Sequence, residues 1–261
     1  MSVVHSPSLQ HAIFPITDDR VTNSSLLELH ACNGNFLSSC VLPNLISITV
    51  QPHFDDSVAM IYECSLNALW GLHELILASR CPLHQLYLTS IDYGDDNLLL
   101  SILTLTPHLK ELVVMQDFEA NTTMVAVLHS LFSHLQDNVK YQDKTHRSAL
   151  LPNLSKLSIT LACTFPTLDL HVISDPFVGM VTACWNGYEN LILRMVTLTA
   201  SCSTTVGAPI NHFEAKNIFI FTAGHIRRLK EWQREGLHID INVHDLDTVG
   251  PAIDVLDTGS G

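Results

Sequence analysis

The chain has 261 residues, of which 47% are hydrophobic and only 15% are charged. This composition excludes an intrinsically disordered chain, and the length is ample for one sizeable core. The formal net charge of −13 argues against a nucleic-acid partner, because phosphate binding needs clustered lysines and arginines. A membrane span is not expected either, since the most apolar run, 191–200, is short and is interrupted by Arg194.

The N-terminal residues and the cysteines together indicate the compartment. Residues 1–7 lack the basic start and the apolar run of a signal peptide, and 1–23 are interpreted as a leader. The 7 cysteines are scattered and are never spaced as Cys-x-x-Cys, which favours free thiols in a reducing environment. We therefore expect a cytoplasmic or nuclear protein.

Five short stretches repeat one pattern, Leu-x-x-Leu-x-Leu with aliphatic substitutions. Four of them carry a proline just before the first leucine, and proline suits the start of a strand because it fixes φ and donates no hydrogen bond. Repetition of this kind is typical of stacked architectures, in which no unit buries its apolar face alone. The stretches are 26–30, 42–50, 82–88, 107–114 and 151–159.

From the N-terminus, predicted strands alternate with segments of helical period. The first strands are expected at 27–31, 46–50, 84–88 and 110–114. An acidic pair, Asp55-Asp56, starts a helical stripe whose apolar members are Ile61, Leu66, Leu69, Trp70 and His73. A further match to the repeat, at 71–77, is interpreted as part of this helix. Later helices are expected to begin at Asp95-Asp96-Asn97 and at Asn121-Thr122-Thr123, where short polar side chains can cap free N–H groups.

The second half continues the alternation with less regular units. Strands are expected at 155–160, 191–198 and 237–243. A helix should follow Asp175-Pro176, because proline is favoured at the first helical position, and another should run from 216 to 235 and stop at Gly236. Three segments are expected to be irregular: an insertion near 136–149, a loop at 201–207 and a tail at 245–261.

Strand followed by helix, repeated along one chain, predicts an α/β fold with a parallel sheet. Together with the leucine pattern it predicts a leucine-rich-repeat solenoid over 24–244. In this architecture the parallel strands line the concave face of a curved horseshoe and the helices cover the outer face. Such a solenoid points to a monomeric binding scaffold whose partner is a protein.

Several of these motifs resemble one known family. They are Leu-Pro-Asn-Leu followed by alternating aliphatics, Ser79-Arg80-Cys81-Pro82-Leu83, the Asp-Asp-x-Leu-Leu helix from Asp95, and Leu229-Lys230 with Glu235-Gly236-Leu237. The sequence is similar to the leucine-rich-repeat region of fungal F-box proteins over most of 24–244. The resemblance implies that the repeats hold a substrate for a cullin–RING ubiquitin ligase, which an F-box joins through the Skp1 adaptor. The residues before the first repeat show no F-box pattern, so this chain itself is not expected to dock Skp1.

The sequence leaves two alternatives to a ligase receptor. One is a standalone repeat scaffold or inhibitor with no ubiquitin link. The other, a hydrolase using one of the 15 histidines, is disfavoured because no His-Glu-x-x-His, Gly-x-Ser-x-Gly or Gly-x-Gly-x-x-Gly motif occurs. A polar set on the last strand, from His238 to His244, is interpreted as a solvent-exposed face rather than a metal site, because neighbours along a strand do not converge on one ion. We expect no catalytic residue, no cofactor and no metal.

The leucines of each unit should point into the core, so the residues between them should line the exposed sheet face. Mixed polar groups with an aromatic suit the recognition of a protein partner. The predicted protein-binding residues are Glu28, His30, Ser47, Thr49, Gln85, Tyr87, Glu111, Val113, Lys156 and Ser158.

Overall fold

The computed structural model describes residues 20–51, 67–91, 96–119, 122–140, 150–165, 170–186, 193–204, 219, 221–245 and 253–256. Within these ranges the chain forms an α/β fold with a mostly parallel sheet. The strands are β1 (21–22), β2 (28–31), β3 (40–41), β4 (47–50), β5 (85–89), β6 (111–119), β7 (156–165), β8 (195–204), β9 (238–245) and β10 (253–254). The helices are α1 (34–38), α2 (68–79), α3 (96–104), α4 (122–140), α5 (174–186), preceded by a 3₁₀ turn at 170–173, and α6 (223–234).

The main sheet follows the order of the chain. Its 8 strands are arranged β10-β9-β8-β7-β6-β5-β4-β2, and every pair from β2 to β9 is parallel. β10 closes one edge antiparallel to β9, and β1 pairs with β3 in a separate sheet of 2 strands. The prediction of parallel strands at the leucine stretches is therefore confirmed.

One face of this sheet carries the core. The central apolar residue of each strand lies beside its counterpart on the next strand, and these seven side chains are at most 7% exposed. They are Leu29, Ile48, Leu86, Leu112, Leu157, Val196 and Ile239. Four of the leucines that lead the sequence stretches are buried with them: Leu45, Leu83, Leu109 and Leu154. The pattern Leu-x-x-Leu-x-Leu thus marks inward-pointing positions, as predicted.

The proline-led stretches also carry an interaction that the sequence analysis did not identify. Asn44 donates from Nδ2 to the carbonyl oxygen of Ser24 at 2.7 Å. Asn153, at the matching place in its own stretch, donates from Nδ2 to the carbonyl oxygen of Pro107 at 2.9 Å. Each amide ties the start of one strand to the segment that leads into the preceding strand, which explains why asparagine follows proline in both stretches.

The helices stack side by side in chain order, from α1 against α2 to α5 against α6. α1 and α2 approach each other closely at Gly34 and Gly71, which allow the two backbones to meet. A Cβ atom on Gly71 would lie 2.0 Å from the carbonyl oxygen of Gly34, so no larger residue fits without a shift. None of the helices in the described ranges is long and apolar enough to cross a membrane.

Several element ends differ from the sequence-based prediction. β8 continues to Thr204, so the first half of the predicted loop at 201–207 is strand. α4 continues to Lys140 and includes the first residues of the predicted insertion at 136–149. α6 begins at Ala223, because the Thr222 side chain accepts a hydrogen bond from the backbone N–H of His225 and caps the helix there. Residues 216–218 and 220 of the predicted helix lie outside the described residues.

The two termini also contain more structure than predicted. Val21 and Thr22, in the predicted leader 1–23, form β1. Ile253 and Asp254, in the predicted tail 245–261, form β10. The predicted helix start at Asp55-Asp56 lies outside the described residues.

The apolar stripe predicted for α2 is wrong at Trp70, and two of its members, Ile61 and Leu66, lie outside the described residues. Leu69 is buried as predicted, but the side chain of Trp70 is 57% exposed and stacks on His73 with ring centroids 6.1 Å apart. The true buried face of α2 instead passes through Leu72, Leu75 and Ile76. The tryptophan was misassigned because Leu69 and Trp70 are adjacent, and adjacent residues on a helix point about 100° apart.

Candidate functional site

The face of the sheet opposite the core carries aligned rows of partly exposed side chains. Its first row runs across seven parallel strands as Glu28, Ser47, Gln85, Glu111, Lys156, Met195 and His238. Its second row is His30, Thr49, Tyr87, Val113, Ser158, Thr197 and Asp240. Every one of these residues is at least partly exposed. We call this surface the open face.

The open face contrasts with the other face of the same sheet. Parallel sheets in α/β proteins are usually covered on both faces, and their strands then read as continuous apolar runs. Here partly exposed residues alternate with buried ones along the strands, as in β4 and β5. No helix in the described ranges covers the open face, so its side chains are available for contact.

All ten predicted protein-binding residues lie on the open face. Glu28, Ser47, Gln85, Glu111 and Lys156 occupy consecutive strands of the first row. The other five, His30, Thr49, Tyr87, Val113 and Ser158, occupy the same strands of the second row. Their placement was predicted by the leucine pattern, and their role in binding stays a prediction.

Sequence reasoning missed the continuation of the open face onto β8. The register of 191–198 was ambiguous from the sequence, yet Leu193-x-x-Val196-x-Leu198 fits the same leucine pattern and would have fixed it. All three residues are buried, which places Met195 and Thr197 on the open face. A third row, also missed, consists of Thr89, Met115, Thr160, Thr199 and Asn242.

The Glu111 carboxylate is the centre of the polar contacts on the open face. Lys156 donates from Nζ to its Oε1 at 2.6 Å, and Gln85 donates from Nε2 to its Oε2 at 3.2 Å. The Glu111 side chain is only 16% exposed, so solvent screens this ion pair less than it screens a fully exposed one. Both oxygens of Glu111 are therefore held by neighbouring strands.

Tyr87 stands next to this carboxylate on the second row. Partial burial raises the pKa of the Tyr87 phenol, and the charge of Glu111, a hydrogen bond with Glu111 and the charge of Glu28 raise it further. The Tyr87 phenol therefore interacts with a carboxylate that Gln85 and Lys156 already hold. An aromatic side chain that is already held in place loses little conformational entropy when a partner covers it.

The predicted polar set on β9 lies on the open face as well. His238 and Asp240 contact each other there, with Nε2 and Oδ2 2.8 Å apart. Among the described residues, no group of three or more histidine, cysteine, aspartate or glutamate side chains is arranged to hold a metal ion. His238 and Asp240 interact with one another along the strand instead of converging on a third group.

Cysteines in the described ranges that carry no disulfide are Cys32, Cys40, Cys81 and Cys184. Burial raises the pKa of the Cys184 thiol to about 12, and burial also raises the pKa of Cys40 and of Cys81. A thiol with a raised pKa stays neutral at pH 7 and is a poor nucleophile. These three side chains serve the core.

Comparisons of this chain with protein-family models, with curated proteins and with solved structures found no match in any of the three.

Proposed function

We propose that this chain is a leucine-rich-repeat solenoid that recognises another protein through its open face. The leucine stretches each supply one strand, the strands pair in chain order, and the helices stack in the same order. That arrangement is what a stack of strand–helix units produces. In a leucine-rich-repeat horseshoe the strand face without helices is the concave one, and a concave sheet offers a broad surface to a partner.

The observation that carries this proposal is a face of the parallel sheet that no helix in the described ranges covers. Its side chains remain in register across seven strands from β2 to β9, so they form one continuous surface. Of the 14 side chains in the first two rows, 4 are serine or threonine and 4 are aspartate, glutamate or lysine, and Tyr87 is the one phenylalanine, tyrosine or tryptophan side chain among them. Binding energy at protein interfaces is concentrated in a few aromatic and charged anchors surrounded by weaker contacts.

Tyr87 and its neighbours are the proposed anchor. The Glu111 carboxylate, held by Gln85 and Lys156, fixes the tyrosine before a partner arrives. Covering the ring would remove apolar area from water while the ion pair behind it is already formed. Loss of Tyr87 is therefore expected to weaken binding more than loss of any serine or threonine around it.

The resemblance to F-box proteins makes substrate recognition for a ubiquitin ligase the first candidate role. In that role the open face holds the substrate, while Skp1 and the cullin–RING ligase act only if an F-box is present elsewhere. A standalone scaffold or inhibitor uses the same face without the ligase. Co-purification with Skp1 separates the two, and a screen with generic ester and peptide substrates tests the hydrolase alternative.

The proposal is tested by affinity capture with the full chain as bait, followed by mass spectrometry. Tyr87→Ala combined with Lys156→Glu should reduce the recovery of a specific partner by at least about tenfold, in line with the loss of one anchor residue. The matched control is Trp70→Ala combined with Arg228→Glu, which changes the same residue classes on the exposed sides of helices.

The control variant should capture that partner as well as the wild type does. The control variant should keep the thermal midpoint of the wild type, whereas the open-face variant should lose a few degrees and remain folded, because it places a second carboxylate beside Glu111. Equal recovery by the open-face variant and the wild type would refute the assignment of the open face.

A further inference from the structure

Another line of residues lies at the beginning of β2 and of β4 to β8, one residue before the first row of the open face. Its members are Leu27, Ile46, His84, Lys110, Ser155 and Arg194. Each carbonyl oxygen in this row accepts hydrogen bonds from the next strand. For example, the oxygen of His84 accepts from the N–H of Lys110 at 2.8 Å and from that of Glu111 at 3.0 Å. We call this line of residues the strand-start row.

The backbone contacts make the strand-start row continuous from β5 to β8. Ser155 and Lys156 donate their N–H groups to the Lys110 oxygen at 2.8 and 3.0 Å. Arg194 and Met195 donate theirs to the Ser155 oxygen at 2.8 and 3.1 Å. Since neighbouring strands are about 4.8 Å apart, Lys110 and Arg194 are separated by roughly 10 Å, with Ser155 between them.

The strand-start row concentrates positive charge in an acidic protein. The chain contains 13 lysines and arginines against 26 aspartates and glutamates, yet Lys110 and Arg194 both belong to this row, and His84 and His108 lie close to Lys110. Lys110, Arg194 and His108 are exposed, and His84 is partly exposed. None of the four is within ion-pair distance of a carboxylate in the described ranges, whereas Lys156 on the open face is bound to Glu111.

The pKa of His84 indicates that His84, Lys110 and His108 lie close together. Its pKa is lowered first by partial desolvation and then by the positive charges of Lys110 and His108. No carboxylate is among the groups that shift the pKa of His84. Lys110 and His108 therefore act on His84 from close by, and a phosphoryl group placed among the three would favour the charged form of His84.

We propose that the strand-start row binds a phosphorylated segment of the partner protein, with one phosphoryl group at His84, His108 and Lys110 and Arg194 engaging the segment further along. This inference rests on the proposed function, since it names the chemistry of a partner that also covers the open face. A phosphoryl group carries about two negative charges and three acceptor oxygens, which matches several donors gathered at one point. A single carboxylate has one charge and matches them less well. The roughly 10 Å between Lys110 and Arg194 corresponds to about three residues of extended peptide.

The open face lies immediately beside the strand-start row. Gln85, Glu111 and Lys156 directly follow His84, Lys110 and Ser155 in the chain, so a bound segment would contact both surfaces. The Glu111 charge is already paired with Lys156, which limits its repulsion of a phosphoryl group. A partner would then be recognised by its apolar contacts with Tyr87 and by the binding of its phosphoryl group at the strand-start row.

The test measures fluorescence anisotropy of labelled peptides titrated with the full-length chain at physiological salt. One peptide carries two phosphoserines about three residues apart, the second has glutamates at these positions, and the third has serines. The wild-type chain should bind the phosphopeptide at least about tenfold more tightly than the serine peptide, as expected when charge-assisted hydrogen bonds are added. The glutamate peptide should bind more weakly than the phosphopeptide.

The decisive variant is Lys110→Gln combined with Arg194→Gln, which should weaken phosphopeptide binding at least about tenfold. The matched control is Arg227→Gln combined with Arg228→Gln, which removes the same charge from exposed positions of α6 and should bind as the wild type does. The single variant Lys110→Gln should lie between the wild type and the double variant. Melting curves confirm that each variant is folded.

Three results would overturn the proposal: no binding of the phosphopeptide, equal binding of all peptides, or equal losses in the decisive and control variants. Binding of the glutamate peptide as tightly as the phosphopeptide would overturn the phosphoryl assignment. Tyr87→Ala separates this proposal from the broader one. Phosphopeptide binding could require Lys110 and Arg194 while Tyr87→Ala leaves the recovery of captured partners unchanged. In that case the proposal for the strand-start row holds and the assignment of the open face is wrong.

Discussion

Single side chains on the open face show how much of the surface is organised before any partner is present. Glu111 is the residue on which the others depend, because Gln85 and Lys156 bond to its two oxygens and Tyr87 contacts it as well. The sequence predicted that Glu111 and Tyr87 share a face, since both occupy the x positions of a leucine stretch. It did not predict that they contact each other, because that depends on which residue of β6 lies beside which residue of β5.

The titration of Tyr87 tests this contact. Burial and Glu111 hold the pKa of the phenol above its usual value, so Tyr87 should ionise later than a free tyrosine. Glu111→Gln removes the charge and should lower that pKa towards the usual value. The measurement is ultraviolet absorbance of tyrosinate against pH, with Tyr87→Phe subtracted to isolate this residue from the other 4 of the 5 tyrosines.

The same shift predicts the sign of a stability change. A phenol whose pKa is higher in the folded state contributes stability that is fully present below its unfolded pKa of about 10 and is lost as the pH rises through its folded value. Alkaline destabilisation should therefore be smaller in Tyr87→Phe than in the wild type. An identical alkaline profile in the two proteins would show that folding does not raise the pKa of Tyr87.

At the scale of elements, the contact of α1 with α2 predicts a loss of stability when Gly71 is replaced. Gly71→Ala places a Cβ atom 2.0 Å from the carbonyl oxygen of Gly34, and the neighbour is backbone that cannot rotate away. Overpacking of this kind costs about 1–3 kcal/mol or more, so the free energy of unfolding should fall by at least that amount in urea denaturation.

Gly224→Ala is the control for that substitution. In α6 the nearest atom to a new Cβ on Gly224 is Thr222 Oγ1, at 3.7 Å, which is ordinary contact. Alanine is the better helix former by about 1 kcal/mol, so this variant should be as stable as the wild type or slightly more stable. If Gly71→Ala were equally harmless, the two helix backbones would not meet at this point.

The elements also show where sequence reasoning succeeds. The predicted strands begin within a few residues of the observed ones, because a leucine stretch fixes both the inward positions and the strand start. Helix ends were harder, since they depend on local caps: the Thr222 hydroxyl, and not a change in apolar period, begins α6. The strand-start row escaped notice because His84, Lys110 and Arg194 are far apart in sequence and become neighbours only through the register of the sheet.

At the scale of the whole molecule, β2 and the strands from β4 to β9 are added in chain order to one main sheet, while β1 and β3 pair separately. Each inner strand from β4 to β8 has a parallel neighbour on both sides, whereas β2 has one. In such a stack the two faces of the sheet have different roles. Leucines on one face stabilise the chain, and the other face can vary without cost to the core.

The last prediction concerns assembly with a ubiquitin ligase. We expect the chain of 261 residues by itself not to form a stable complex with Skp1 in size-exclusion chromatography. Docking of an adaptor needs helices with a free apolar face, and the apolar faces of α2, α4 and α5 contribute buried side chains to the core, among them Leu75, Leu128 and Val181. An intact F-box protein run with the same Skp1 preparation serves as the positive control. Co-elution of the chain with Skp1 would mean that residues 1–23, interpreted as a leader, take part in docking, and the ligase role would then extend to this chain itself.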